Sequence, residues 1–176
     1  ARERYQRDYI KNIDFPFGMR DTDVVIVSDL DEIPKASTIK NYDVSQGLVC
    51  LDQVLYYYDL NCRSDDPWRW CKVLPFGMFK DMSLTQIRYT ECPVIPDGGW
   101  HFSYMGGIDK IISKIEAGSH QEHNLPKNKD AGNLKKAVDG GKVGILRPAL
   151  SDGLQRGAMR LVGLEEGRFA FLHADR

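Results

Sequence analysis

The chain has 176 residues, of which 42% are hydrophobic and 28% charged, and its formal net charge is -1. This length predicts a single domain with a sizeable core. The balanced charge argues against nucleic acid or an anionic membrane as a bulk partner. No apolar run approaches the roughly 18 residues of a membrane-spanning helix, and the charged start does not resemble a signal peptide.

Cysteine spacing bears on metal binding and on redox state. No two of the four cysteines are spaced as Cys-x-x-Cys, which argues against a structural zinc site. Reduced, mostly buried thiols are the favoured interpretation, and one or two disulfides are the alternative for a secreted or luminal protein. The cysteines are Cys50, Cys62, Cys71 and Cys92.

The first predicted elements are a helix, a buried strand and a second helix. Apolar residues recur every four positions over residues 2–13, which predicts a helix. Residues 24–28 form a continuous run that is apolar on both faces, as is typical of a central parallel strand covered by helices. Pro34 suits the first turn of a helix that residues 37–42 continue.

Strands and helices continue to alternate, which indicates the α/β class. Isoleucines at helical spacing after Gly107 predict the clearest amphipathic helix of the chain. The other expected elements are strands at residues 47–60, 100–105, 161–164 and 168–173, helices at 83–89 and 133–138, a polar loop at 61–70 and a turn at 94–99.

The most informative feature is the acidic motif Asp29-Leu30-Asp31-Glu32, directly after the predicted buried strand. In open α/β sheets, ligands bind beyond the carboxyl ends of the strands. Two close carboxylates disfavour each other's ionisation unless a cation lies between them, and Mn²⁺ or Mg²⁺ accepts carboxylate oxygens. Because such an ion also neutralises a departing diphosphate, the motif predicts a metal site for a nucleotide donor. The alternative is a surface turn whose acids cap the following helix.

A second candidate cluster lies at residues 98–107, between two glycine pairs. The glycines allow the backbone to approach a ligand, and the second pair opens a helix whose N-terminus favours anions. His101 is a candidate metal ligand or phosphate donor. Strand alternation predicts Trp100, Phe102 and Tyr104 on one face, as a platform for sugar rings. The alternative is that these aromatics are core and that His101 is a hydrogen-bonded buried histidine.

The third cluster is the polar segment His120-Gln121-Glu122-His123-Asn124. Glu122 is a candidate general base, and His120 is a candidate metal ligand or orienting group. A solvated polar loop explains the same residues, and the residues alone favour that interpretation.

The segment Asp-Val-Val-Ile-Val-Ser-Asp-Leu-Asp-Glu-Ile-Pro at residues 23–34 resembles the core motif of glycosyltransferase family 17. Three further passages are similar to the family's pattern in the same order, at residues 3–7, 99–104 and 114–122. Four ordered segments over residues 3–124 are far more specific than any one of them.

The resemblance implies a GT-A-like (Rossmann-like) mixed sheet flanked by helices, a nucleotide-sugar donor such as UDP-GlcNAc, Mn²⁺ or Mg²⁺, a glycan acceptor and inversion at the anomeric carbon. Asp29 and Asp31 match the metal and nucleotide acids, with Asp31 favoured as the direct ligand. His101 matches a metal- or donor-binding histidine. Arg7 matches a position from which a side chain reaches the donor phosphates.

The resemblance also suggests a catalytic base and a division of the domain. Glu122, and after it Asp97, are the candidates for the carboxylate that deprotonates the acceptor hydroxyl. The single domain is expected to hold a nucleotide- and metal-binding part at residues 1–60, an acceptor and catalytic part at 61–126 and a C-terminal extension at 127–176. Because family members carry further βα units before the acidic motif, the N-terminal part of the donor site is expected to be missing here.

Two other functions fit part of the pattern. A metal-dependent nucleotidyltransferase also uses acids at a strand end, but its Gly-rich, basic triphosphate loop is not visible near the start of this sequence. A non-catalytic fragment or binding module that retains the fold is the other alternative. The expected localisation is cytoplasmic, as for a bacterial or viral relative, or the Golgi lumen for a piece of a longer eukaryotic protein.

Overall fold

The computed structural model describes residues 5, 8, 9, 18–117, 124–140 and 169–172, the last four by their backbone. The strands are β1 (Val24–Val27), β2 (Glu32–Pro34), β3 (Val49–Tyr57), β4 (Lys72–Pro75), β5 (Val94–Ser103) and β6 (Phe169–Leu172). The helices are α1 (Ala36–Lys40), α2 (Phe76–Asp81), α3 (Leu84–Tyr89), α4 (Ile108–Ala117) and α5 (Ala131–Asp139). The predicted α/β class, a mixed sheet flanked by helices, is confirmed.

The strand order in the sheet is β2-β5-β3-β4-β1-β6. β5 pairs antiparallel with β2 and parallel with β3, while β1 pairs antiparallel with β4 and parallel with β6. The prediction for β1 is therefore right about its inner position and its buried apolar residues. The predicted parallel pairing is wrong for β4, which runs antiparallel to β1. A fully apolar run fits any covered inner strand, whether its neighbours are parallel or antiparallel.

The short connection between β1 and β2 makes the sheet curl. Four strand steps separate the two strands in the sheet, which is about 19 Å on a flat sheet with a spacing of about 4.8 Å. Only residues 28–31 connect them, and five Cα steps span at most about 18 Å when fully extended. The connection is not extended, because the Glu32 N–H donates to the Asp29 carbonyl over 3.1 Å. The curl therefore brings the end of β1 close to the start of β2.

The predicted helix start at Pro34 is wrong. Pro34 is the last residue of β2, and the helix begins at Ala36. β2 lies at the edge of the sheet, where the absence of a backbone N–H in proline is tolerated. The proline therefore marks an edge strand and not a helical turn.

The turn predicted at residues 94–99 is also wrong, because these residues form the first half of β5. Val94 pairs with the start of β3, and the register shifts by one bulge before the strand continues. Gly99 is required in this strand: its φ is +128°, and a Cβ there would lie 2.1 Å from the Ile33 carbonyl oxygen. The glycines thus allow close strand packing and do not end the strand.

The sequence analysis does not predict β4 or α2, and the remaining described elements agree with it. The strand predicted at residues 47–60 contains β3. The helices predicted at residues 83–89, after Gly107 and at 133–138 are α3, α4 and α5. Ser83 begins α3 by accepting a hydrogen bond from the Gln86 N–H in a capping box. Residues 5, 8 and 9 are helical, whereas the rest of the predicted N-terminal helix and the strand predicted at 161–164 lie outside the described residues.

Buried helix faces cover different parts of the sheet. α2 and α3 contribute Phe79 and Ile87 to a cluster around β1 and β4. α4 and α5 contribute Ile111 and Leu134 to a cluster with Leu55 of β3. In the part of the chain that the structure describes, no helix is long and apolar enough to cross a membrane.

Candidate active site

The predicted acidic motif forms a tight turn between β1 and β2. The Asp29 N–H donates to Glu32 Oε2 over 2.7 Å, and Trp68 Nε1–H donates to Glu32 Oε1 over 2.6 Å. Both carboxylates are buried. Neither caps α1, which has no side-chain hydrogen bond at its N-terminus. The alternative of an exposed turn with helix-capping acids is therefore wrong.

Arg88 of α3 supplies the positive charge for this buried turn. Its Nη2 forms an ion pair with Asp29 and lies 3.6 Å from Glu32 Oε1. Arg88 follows Leu84 and Ile87 at helical spacing on the buried face of α3. Because two carboxylates and one guanidinium are removed from water together, the arrangement depends on their mutual contacts.

The pKa values of both members of this ion pair are raised. Burial raises the pKa of Asp29 to about 7, and the neighbouring Glu32 and Asp31 act in the same direction against Arg88. Burial alone would lower the pKa of Arg88, but Asp29 and Glu32 raise it. The Asp29 shift arises mainly from burial, whereas the Arg88 shift arises because two buried carboxylates lie beside its guanidinium. Since arginine stays charged in proteins, Asp29 is the member of the pair that takes up a proton as pH falls.

Asp31 contacts a different pair of groups. Lys114 Nζ of α4 lies 2.8 Å from Asp31 Oδ2, and His101 Nε2 of β5 lies 3.3 Å from Asp31 Oδ1. Burial alone would raise the pKa of Asp31, but His101 and Lys114 together lower it well below its ordinary value. The Asp31 side chain is 21% exposed, against 6% for Asp29. Asp31 is therefore the ionised carboxylate that a ligand can reach from solvent.

His101 lies on β5, which has a paired strand on each side. It lies opposite Glu32 of β2 and Leu55 of β3, and its ring centroid is 4.0 Å from that of Trp68. Its ring is buried, and among the described residues neither ring nitrogen has a hydrogen-bond partner. The alternative is right that His101 is buried, and its Nε2 lies 3.3 Å from Asp31 Oδ1. Buried nitrogens of this kind are normally satisfied by a ligand or an ordered water.

The donor atoms of Asp31 and His101 fit a divalent cation. Two ligands at about 2.1–2.3 Å from one ion and at a right angle lie about 3.0–3.2 Å apart, close to the observed 3.3 Å. Over residues 18–117 and 124–140, no group of three His, Cys, Asp or Glu side chains could hold a metal ion. The ion would take its other ligands from phosphate oxygens and water, as Mg²⁺ commonly does. Asp29 could join them only by leaving Arg88.

Comparison with known protein families agrees with this arrangement. A model of glycosyltransferase family 17 matches residues 1–142 of the 176. The chain belongs to glycosyltransferase family 17. Comparisons with curated proteins and with solved structures find no match to it. Family membership confirms the resemblance noted from the sequence and implies a sugar donor and an acceptor.

Of the other predicted site residues of this glycosyltransferase, only Asp97 is described by the structure, and it lies away from the cluster. Asp97 precedes His101 by four residues on β5 and lies in the irregular part of that strand, where the register with β3 shifts. Its side chain is 74% exposed and forms an ion pair with Lys35. Arg7, His120 and Glu122 lie outside the described residues.

The predicted aromatic face of the glycosyltransferase is correct for Trp100 and Phe102 and wrong for Tyr104. Trp100 and Phe102 lie on the face of β5 opposite His101 and are partly exposed, and Phe102 stacks on Tyr56 with centroids 5.8 Å apart. Tyr104 follows the end of β5 with a φ of 57°, which turns its ring into the core. The exposed aromatic face therefore lies on the other side of the sheet from the imidazole.

Sequence reasoning missed three members of this glycosyltransferase site. Arg88 carries a signal, because it is a charged residue in the apolar stripe of a helix. Lys114 also carries one, because it borders the isoleucine stripe of α4 and lies in a passage similar to the family pattern. Trp68 carries none: it reaches Glu32 from a loop 36 residues away in the chain.

Proposed function

We propose that the protein transfers GlcNAc from UDP-GlcNAc to a glycan hydroxyl, with inversion at the anomeric carbon, on a GT-A-type fold. The observation that carries the proposal is the pair of Asp31 and His101, in which an accessible carboxylate lies 3.3 Å from the Nε2 of a buried imidazole. Family membership supports sugar transfer over nucleotidyl transfer. The choice of donor sugar rests on the resemblance to the family.

Asp31 and His101 are the proposed ligands of a divalent ion, Mn²⁺ or Mg²⁺. When bound, such an ion neutralises charge on the departing diphosphate. Asp29 keeps the turn in place through Arg88 and Glu32, so that Asp31 is presented at the solvent edge. Direct ligation by Asp29 stays a prediction that requires its carboxylate to leave Arg88.

The proposed catalytic base is Glu122. The acceptor oxygen attacks the anomeric carbon while the bond from that carbon to the diphosphate oxygen breaks. The nucleoside diphosphate leaves with the electron pair, and the hydroxyl proton passes to the Glu122 carboxylate. Asp97 is the second candidate, and its exposed ion pair with Lys35 gives it less support.

The test is calorimetric titration of UDP into the protein, with Mn²⁺ and with EDTA. We expect Mn²⁺-dependent binding that Asp31→Asn weakens at least about tenfold, because charge-assisted contacts contribute more than about 1.4 kcal/mol. The matched control is Asp52→Asn, which removes a carboxylate from a surface ion pair with Arg69 and leaves UDP binding unchanged. Wild-type affinity in Asp31→Asn would remove the metal assignment. Absence of UDP binding in the wild type would favour the non-catalytic binding module.

A further inference from the structure

Both carboxylate oxygens of Asp31 are already engaged by the protein's own groups. His101 Nε2 faces Oδ1 at 3.3 Å, and the Lys114 ammonium contacts Oδ2 at 2.8 Å. Lys114 thus lies where a cation from solvent would meet the accessible carboxylate. An ion that binds Asp31 through Oδ2, or brings phosphates beside it, must compete with this ammonium.

Lys114 can release its carboxylate partner more easily than Arg88 can. The Lys114 side chain is 35% exposed, whereas that of Arg88 is 3% exposed and fixed between two buried carboxylates. A lysine ammonium is a compact charge on a flexible stem, so it can change partners without moving the helix. Its Nζ also lies 4.8 Å from the ring centroid of Tyr104, and this cation–π contact keeps it near the site when Asp31 is taken.

We propose that Lys114 is the exchangeable counter-cation of Asp31. In the donor-free protein it neutralises Asp31, and when a divalent ion takes that carboxylate, the ammonium moves to the donor diphosphate. Lysine binds phosphate as a point charge. This inference rests on the proposed function, because it assigns Lys114 as a binding residue for the donor of that same site.

The experiment measures Mn²⁺ and UDP separately in Lys114→Met, which keeps the length of the side chain and removes its charge. Free Mn²⁺ is followed by electron paramagnetic resonance without nucleotide, and UDP binding is followed by calorimetry at saturating Mn²⁺. We expect Mn²⁺ affinity to rise about three- to tenfold, because a partly exposed ion pair no longer competes. We expect UDP affinity to fall about tenfold, because a charge-assisted contact is lost.

Two further variants make the result specific. Lys110→Met, on the same helix and exposed, should change neither affinity. Lys114→Arg, which keeps the charge, should restore wild-type values for both, and thermal unfolding verifies that all variants fold.

The exchange is supported if Mn²⁺ affinity rises and UDP affinity falls in Lys114→Met and in neither of the other two variants. Unchanged or weaker Mn²⁺ binding in that variant, while the wild type binds UDP with Mn²⁺, overturns the inference and leaves the proposed function standing. If the wild type shows no Mn²⁺-dependent UDP binding, the proposed function fails and the inference fails with it.

Discussion

Replacing Arg88 by methionine tests whether the buried ion pair holds the acidic turn together. The substitution keeps an apolar stem of similar length and leaves Asp29 and Glu32 buried without their cation. Removing one partner of a buried ion pair costs about 3–5 kcal/mol, because the remaining charge is uncompensated. We therefore expect Arg88→Met to lower the free energy of unfolding by about that amount at pH 8, measured by urea denaturation.

The matched control is Arg69→Met, which breaks an ion pair of similar chemistry at the surface. Arg69 and Asp52 are 50% and 30% exposed and 3.1 Å apart. Because solvent screens such a pair, we expect little change in the urea midpoint. A loss in Arg88→Met no larger than that in Arg69→Met would refute the argument that the turn depends on a desolvated pair.

The pH dependence of the Arg88→Met effect gives a second check. The pKa of Asp29 is raised from 3.8 to about 7 in the folded protein. Its contribution to stability is therefore fully present below about pH 4 and is lost as pH rises through about 7. Without Arg88 the pKa of Asp29 moves higher still, so protonation relieves the uncompensated charge at pH 5. We expect a smaller loss at pH 5 than at pH 8, and equal losses would contradict this account.

Four other substitutions test separate parts of the arrangement. Trp68→Phe removes the hydrogen bond to buried Glu32 and should cost about 1–3 kcal/mol in urea unfolding, and an unchanged midpoint would count against that bond. Gly99→Ala should lower the melting temperature, because a Cβ would meet a carbonyl oxygen at 2.1 Å with φ at +128°. Glu122→Gln should lower kcat about 100-fold or more with UDP affinity unchanged, whereas Asp97→Asn should leave kcat within about twofold. A larger kcat loss in Asp97→Asn would exchange the two assignments.

The elements that could be predicted from sequence are those whose signal is local. The isoleucine spacing of α4 and the capping box of Ser83 each depend on residues within about two helical turns, and both helices form as expected. The apolar run of β1 predicts an inner strand for the same reason. The acidic motif and His101 could also be singled out, because charged and titratable residues at strand ends are unusual in a core.

The missed features depend on contacts between distant parts of the chain. Arg88 pairs with Asp29 across 59 residues, and Lys114 pairs with Asp31 across 83. Each pairing joins a helix to the turn between β1 and β2, and local periodicity does not encode such a contact. The first half of β5 reads as a turn because its proline and glycines suit one, and pairing with β3 overrides that preference.

The position of β5 has a consequence for the order in which the site loosens. β5 has a paired strand on each side, whereas the turn that carries Asp31 follows an inner strand and leads into an edge strand. Backbone amides in such a doubly paired strand exchange with solvent only through large openings, while turns and edges open locally at far lower cost. His101 thus lies on a strand that resists local opening, whereas Asp31 lies in a turn next to an edge strand. Local opening that separates the carboxylate from the imidazole must therefore also break the hydrogen bond from the Phe102 N–H to the Asp31 carbonyl and disturb the buried ion pair of Asp29 and Arg88.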